Sequence, residues 1–285
     1  MSRDIISIDT LPLGLGCSRL GSVNGASGRE AKVLLQRAFD LGIRFFDTSN
    51  VYGQGDSEKL IGEALGRHND CVICSKAGKY FPWPRRMLVP LKGVLRGVTR
   101  RSQKARRGIA SARAKPMPSR WDEPFLLSSI HGSLRRLKRD RIDVFMLHSP
   151  PADILALGEA LDVLEKAQVA GKIGIIGASV DDVPAAEAAL PDPRIRALQL
   201  PLLPGNHDFD GVVRRAAEND VAVIAREILG GAATISATTD PAAFVRSRVI
   251  EMIRSPEIAL PLVGTTRPAN LFALAEAARE GMSQQ

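Results

Sequence analysis

The chain has 285 residues, 45% hydrophobic, 25% charged and only 5% aromatic, a balance that excludes a disordered chain, a collagen and a small disulfide scaffold. Its 39 Lys and Arg against 31 Asp and Glu give a formal net charge of +8, and no run of about 18 uninterrupted apolar residues marks a spanning helix. Met1-Ser-Arg-Asp4 places an acid early, and Leu11 to Gly16 is too short and too interrupted for the apolar core of a secretion signal. The expected location is cytoplasmic.

The positive charge sits in one place. Twelve of the basic residues lie between Tyr80 and Trp121, 42 residues that contain no acid, so the rest of the chain carries 27 basic against 31 acidic residues. That segment also holds Pro82, Pro84, Pro90, Pro116 and Pro118. It reads as an insertion into a regular scaffold.

In chain order, apolar runs rich in Ile, Val, Leu and Phe appear at Leu11 to Leu15, Ile43 to Asp47, Cys71 to Lys76 and Ile142 to His148. Four more follow at Ile173 to Ala178, Ala197 to Leu202, Val221 to Arg226 and Ala259 to Gly264. Helical patterns separate them. Arg29 to Leu41 puts Ala31, Leu34, Ala38 and Leu41 on one face, and Ser57 to Leu65 is opened by Ser57 and closed by Gly66. Asp122-Glu-Pro opens a helix striped by Leu126, Leu127, Ile130, Leu134 and Leu137. Further helices are expected over Asp153 to Ala170, Asp181 to Leu190, Phe209 to Asn219, Asp240 to Arg254 and Pro268 to Arg279. Eight strands alternating with helices over about 250 residues predict an α/β fold, a (β/α)8 TIM barrel, as a single domain over residues 1–285 with the basic insertion at 80–121 after the third strand. A doubly wound open sheet competes, but Gly14-Leu-Gly16 lacks the third glycine of a dinucleotide turn.

Cys17, Cys71 and Cys74 are too few to staple a chain of this length. In an extended run Cys71 and Cys74 point to opposite faces, which argues against a shared metal or disulfide. No metal site is predicted.

In a barrel, chemistry gathers at the C-terminal ends of the strands. The second, third and fourth runs end at Asp47, Lys76 and His148, and Tyr52 lies just past the first of these, in a loop with glycines at 53 and 55. Singly, each has a structural role open to it: a cap, a surface charge, a satisfied strand-end residue, a packing ring. Together they form a coherent acid–base site. A tyrosine of ordinary pKa about 10 needs a nearby cation to act near neutrality; Lys76 supplies one, Asp47 holds it, and His148 orients a carbonyl.

Gly42-Ile-Arg-Phe-Phe-Asp-Thr-Ser-Asn-Val-Tyr-Gly53 and Gly55-Asp-Ser-Glu-Lys-Leu-Ile-Gly-Glu-Ala-Leu-Gly66 resemble the Asp/Tyr signature of the aldo-keto reductases, and Ser75-Lys76 and Leu147-His148-Ser149 match that family's Lys and His positions. The resemblance covers the chain outside residues 80–121. It implies an NAD(P)H-dependent oxidoreductase that reduces an aldehyde or ketone, or oxidises the alcohol, with Tyr52 as general acid or base and no metal. It also implies that Ser179 and Gln199 bind the nicotinamide carboxamide, although Val180 stands where the family usually has Asn. Arg226 falls where an aromatic ring or an arginine covers the nicotinamide face. Thr265, Thr266, Arg267 and Asn270 match the loop that grips the adenosine ribose and its 2′-phosphate, so NADP(H) is placed ahead of NAD(H), without the loop's usual lysine.

The chain is expected to lack the long C-terminal loop that many relatives fold over substrate. Tyr80, Phe81 and Trp83 are the candidate substrate-wall residues. The insertion has three open roles: a substrate lid, a docking element for an anionic surface or acidic partner, or a solvated loop. Its charge alone does not make a nucleic-acid module. A second functional reading stays open beside the enzyme, a nicotinamide-binding regulatory subunit recruited by the basic insertion.

Overall fold

A computed structural model describes residues 10–22, 25–26, 28–82 and 117–283. Eight parallel strands close into a barrel in the order β1-β2-β3-β4-β5-β6-β7-β8. They are β1 Gly14–Gly16, β2 Phe45–Asp47, β3 Val72–Ala77, β4 Ile142–His148, β5 Ile173–Ser179, β6 Ala197–Pro201, β7 Ala222–Arg226 and β8 Ile258–Val263. Around them run α1 Gly28–Asp40, α2 Asp56–Leu65, α3 Glu123–Leu137, α4 Ala152–Leu157, α5 Glu159–Val169, α6 Val183–Ala189, α7 Asp210–Glu218, α8 Gly231–Ala237, α9 Pro241–Arg254 and α10 Pro268–Ser283. Among the described residues no helix is long and apolar enough to cross a membrane.

Three helices start on an aspartate cap. Asp122 accepts from Phe125 N at 3.2 Å, Asp182 from Ala185 N at 2.8 Å, and Asp240 from Ala242 N and Ala243 N at 3.0 Å. Each of these carboxylates satisfies an N–H that a helix start would leave orphaned.

Several elements differ from expectation. Helix α2 starts at Asp56 behind a left-handed Gly55 and not on a Ser57 cap, and β2 begins at Phe45, not Ile43. β1 begins at Gly14, not Leu11. The helix expected over Asp153 to Ala170 is broken into α4 and α5, because the chain passes Gly158 at φ 74°, a left-handed conformation natural to glycine. Helix α8 was not foreseen; none of its residues is buried, so it has no apolar stripe to read.

Strand alternation divides the core in two. Outward residues such as Leu15, Phe46, Ile73, Phe145 and Ile176 pack under the helices. Inward residues Phe45, Cys74, Val144, Met146, Ala197, Ile224, Leu260 and Leu262 fill the barrel. The cysteines obey the same rule: Cys71 lies in the outer core and Cys74 in the barrel interior, with all three thiols unpaired.

The ends of the basic segment meet at the mouth. Lys79 and Ser119 form an antiparallel bridge, Tyr80 N donates to Pro118 O at 3.0 Å, and Arg120 N to Gly78 O at 2.8 Å. Most of the insertion, including Trp83, lies outside the described residues.

Candidate active site

Two residues beyond the apolar fill, five of the strands turn polar. Phe45 is followed by Asp47, Cys74 by Lys76, Met146 by His148, Ala197 by Gln199 and Ile224 by Arg226, all on the inward face by the period of two. Register aligns three of the mouth residues: His148 pairs with Ser179, and Ser179 with Gln199, while Asp47 lies beside Cys74 and Lys76 beside Met146. The C-terminal mouth is therefore a polar layer seated on a dry one.

Its centre is an ion pair. Lys76 Nζ lies 2.5 Å from Asp47 Oδ1 and donates to Thr48 O at 3.0 Å; its side chain is fully buried. Gln199 Nε2 donates to the same Asp47 oxygen at 2.9 Å, and Ser179 Oγ donates to Gln199 Oε1 at 2.8 Å. Asp47, the ammonium, an amide and a hydroxyl thus form one chain across β3, β2, β6 and β5.

Tyr52 opens a short 3-10 turn, Tyr52–Gly55, that leads into α2. Its N–H donates to Ser49 O at 3.1 Å, and Gly55 takes φ 92° so that α2 starts at once. The turn lays the Tyr52 ring 5.3 Å from Lys76 Nζ and edge-on to His148, with ring centroids 5.7 Å apart. All four residues expected at strand ends and in the β2 loop are brought together.

Burial pushes the Tyr52 pKa up; Lys76 pulls it down, and the net direction is upward from 10. Lys76 lowers the tyrosine as the sequence suggests, but desolvation outweighs it, so Tyr52 holds its proton at neutrality. For Lys76 burial alone works downward, while Asp47 leads the charges that raise it, and the ammonium stays protonated well above its usual range. His148 is driven well below 6.5 by burial, then by Lys76, Lys79 and Arg226. It is neutral, and its Nδ1 is 2.9 Å from Ser49 Oγ. Ser49 has no strand periodicity to betray it; only its position two residues beyond Asp47 marks it.

Of the residues matched to a cofactor, Ser179 and Gln199 already belong to the chain on Asp47. Arg226, at the end of β7, donates to Val180 O at 2.8 Å and Asp181 Oδ1 at 2.6 Å and pairs with Glu227, while its Nε is buried without a partner among the described residues. Val180 itself packs outward in the helix-facing core. In the loop after β8, Thr265 Oγ1 accepts from Arg267 N at 3.1 Å and Asn270 Nδ2 at 3.2 Å, which folds Thr265, Thr266, Arg267 and Asn270 into one exposed turn at the start of α10. An amide–hydroxyl pair, a guanidinium with a spare donor, and a basic turn at a helix start are the donor set that a nicotinamide carboxamide, ring face and phosphate need. The fit is therefore chemical, residue by residue.

Tyr80 is half-buried with its ring 5.8 Å from that of Phe125 on α3, and Phe81 is half-buried next to it. No group of three or more His, Cys, Asp or Glu among the described residues is placed to hold a metal.

Known proteins have similar chains. The D-threo-aldose 1-dehydrogenase of a Pseudomonas species is 34% identical over 176 residues, 58% of this chain and 48% of that protein. The aldo-keto reductase yakc [NADP(+)] of Schizosaccharomyces pombe is 27% identical over 237 residues, 79% of this chain and 60% of that protein. The chain thus spans about half to three fifths of the length of these relatives. The holo form of an aldo-keto reductase from Bacillus halodurans superposes with a TM-score of 0.72 over 96% of this chain and 91% of that one, at 18% identity, a likeness of fold. The family model described as Aldo/keto reductase family matches residues 12–277, and the chain belongs to that family.

Proposed function

We propose that the protein is an NADP(H)-dependent carbonyl reductase in which Tyr52 is the general acid, and alcohol dehydrogenase in reverse. The observation that carries this reading is the buried Lys76–Asp47 pair, 2.5 Å apart, beneath the Tyr52 ring. When bound, a reduced nicotinamide supplies a hydride to the carbonyl carbon. The protein's residues do the rest. Tyr52 gives its hydroxyl proton to the carbonyl oxygen as negative charge develops there, and the fixed charge of Lys76 stabilises the phenolate that remains. Asp47 keeps that ammonium in place. Neutral His148, with Ser49 donating to Nδ1, carries its proton on Nε2 and orients the carbonyl oxygen towards Tyr52.

Ser179 and Gln199 hold the carboxamide, Arg226 covers the ring, and Thr265, Thr266, Arg267 and Asn270 hold the ribose and phosphate. The cation of Arg267 supports NADP(H) ahead of NAD(H), in keeping with the NADP(+) in the fission-yeast relative's name. The partner is a small carbonyl compound or its alcohol.

The test is loss of nicotinamide absorbance with NADPH, and separately NADH, across a panel of aldehydes and ketones. The expected result is turnover that falls about 10²–10⁴-fold in Tyr52→Phe, the usual worth of a positioned acid, with cofactor affinity retained. Unchanged turnover in Tyr52→Phe would remove the acid from this reading.

A further inference from the structure

One cation at the barrel mouth has no part in the proton-transfer chemistry. Lys79 follows Lys76 by three residues, and its backbone is fixed from several sides. It bridges to Ser119, its carbonyl accepts from Asn50 Nδ2 at 3.3 Å, and Gly78 before it, at φ 128°, lies against the Trp121 ring so closely that a Cβ would meet it at 2.3 Å. The Lys79 side chain is thereby delivered to one place. Its ammonium donates to Ser149 Oγ at 2.6 Å. Ser149 directly follows His148 and is held at φ 54°, with its N–H on Ser179 O at 2.7 Å, a conformation that costs free energy in a residue with a Cβ. An ammonium and a hydroxyl therefore stand together one residue beyond the imidazole.

The charge of Lys79 is poorly matched. Among the described residues its carboxylate partner, Asp181, is 3.7 Å away and already bonded to Arg226 at 2.6 Å, and Arg226 also takes Glu227. Two carboxylates converge on Arg226, and Lys79 keeps a neutral hydroxyl and a distant share of one of them. Its side chain is only 23% exposed. Burial pushes its pKa down; Asp181 opposes this, and Arg226 adds to it. A partly desolvated cation with an incomplete counter-charge gains from an incoming anion.

We propose that Lys79 and Ser149 form a carboxylate-binding subsite, so that the substrate is a carbonyl compound that carries a carboxylate on the group attached to its carbonyl carbon. One oxygen meets the ammonium and the other the hydroxyl. A single negative charge suits the site, because Asp181 stands close enough to repel a second. This inference rests on the reductase reading for the position of the carbonyl beside Tyr52 and His148.

The experiment compares kcat/KM for 4-carboxybenzaldehyde and its methyl ester, in wild type, Lys79→Met and Lys79→Arg. Wild type is expected to favour the acid over the ester by about tenfold or more, as a charge-assisted hydrogen bond would give. Lys79→Met brings the ratio close to one, and Lys79→Arg keeps part of it. No preference in wild type, or the same preference in Lys79→Met, overturns the subsite. Binding of 4-carboxybenzaldehyde, read by ligand-observed NMR without cofactor, separates the two readings. If neither aldehyde is turned over but Lys79→Met weakens binding about tenfold, the reductase reading fails and the anion subsite stands; equal binding in wild type and variant removes the subsite whatever the turnover.

Discussion

Lys76 Nζ and Asp47 Oδ1 are 2.5 Å apart, with the lysine side chain fully buried and the aspartate 7% exposed. A buried pair of this kind is weak evidence of net stability, but removal of one partner leaves the other desolvated and alone, at a cost of about 3–5 kcal/mol. Lys76→Met is expected to destabilise by about that amount, since Asp47 would lose its ammonium and keep neutral partners such as the amide of Gln199. The double variant Asp47→Asn with Lys76→Met should recover much of the loss. Denaturant midpoints measured at constant m-value test this, and additive losses in the double variant would contradict a coupled pair.

His148 carries a sign that can be measured. Its folded pKa lies well below 6.5, chiefly through burial, so between 6.5 and the folded value the unfolded chain binds a proton that the native state does not. Stability from this group is present above pH 6.5 and is lost as pH falls below it. From pH 6.5 to 5.5 the wild type should lose up to about 1 kcal/mol that His148→Gln does not lose. Unfolding curves for both proteins at the two pH values give the difference; parallel losses would mean that His148 titrates normally in the fold.

The thiols should be silent. Burial raises all three, Cys71 to about 12 and Cys17 and Cys74 well above the usual thiol range, so little thiolate forms near neutrality. Iodoacetamide at pH 8 is expected to leave the native protein unlabelled and to label Cys17, Cys71 and Cys74 after denaturation. Mass spectrometry of both samples decides it, and rapid native labelling of Cys71 would show that the end of β3 opens.

Strand ends were the legible part of this site. Asp47, Lys76 and His148 declare themselves because a period of two carries an apolar face up each strand until it breaks into a polar residue. Tyr52 was reachable because Gly53 and Gly55 announce a tight turn. Ser49, Ser149 and Asp181 were not, since they lie in loops where side-chain direction follows from φ and ψ at each residue and not from a repeat. The same limit hid the break at Gly158, which a continuous apolar stripe covers. It also hid the late start of β1, where the bare Gly14 lets Leu262 come so near that a Cβ would lie 2.4 Å from its Cδ2.

Glu58 bears on Lys76 from behind. Its carboxylate is fully buried and accepts from Ser75 Oγ at 2.5 Å and from Arg136 Nε at 2.7 Å, while the neighbouring Ser57 Oγ takes the hydrogen bond of Thr48 Oγ1 at 2.8 Å. The first turn of α2 therefore reaches the residue beside Lys76 and the residue beside Asp47, and α3 closes the arrangement through Arg136. Gly62 permits that closure, because a Cβ there would meet the Arg136 carbonyl at 2.2 Å. That neighbour is backbone and cannot rotate away, so Gly62→Ala should force α2 from α3 and cost about 1–3 kcal/mol, in the range of overpacked cores. Arg136→Met removes the counter-charge instead and should cost about 3–5 kcal/mol, relieved in part by a second change, Glu58→Gln. The two mechanisms separate by the second change: Glu58→Gln recovers part of the loss in Arg136→Met and none of the loss in Gly62→Ala, and denaturant unfolding free energies of the two single and two double variants measure the contrast.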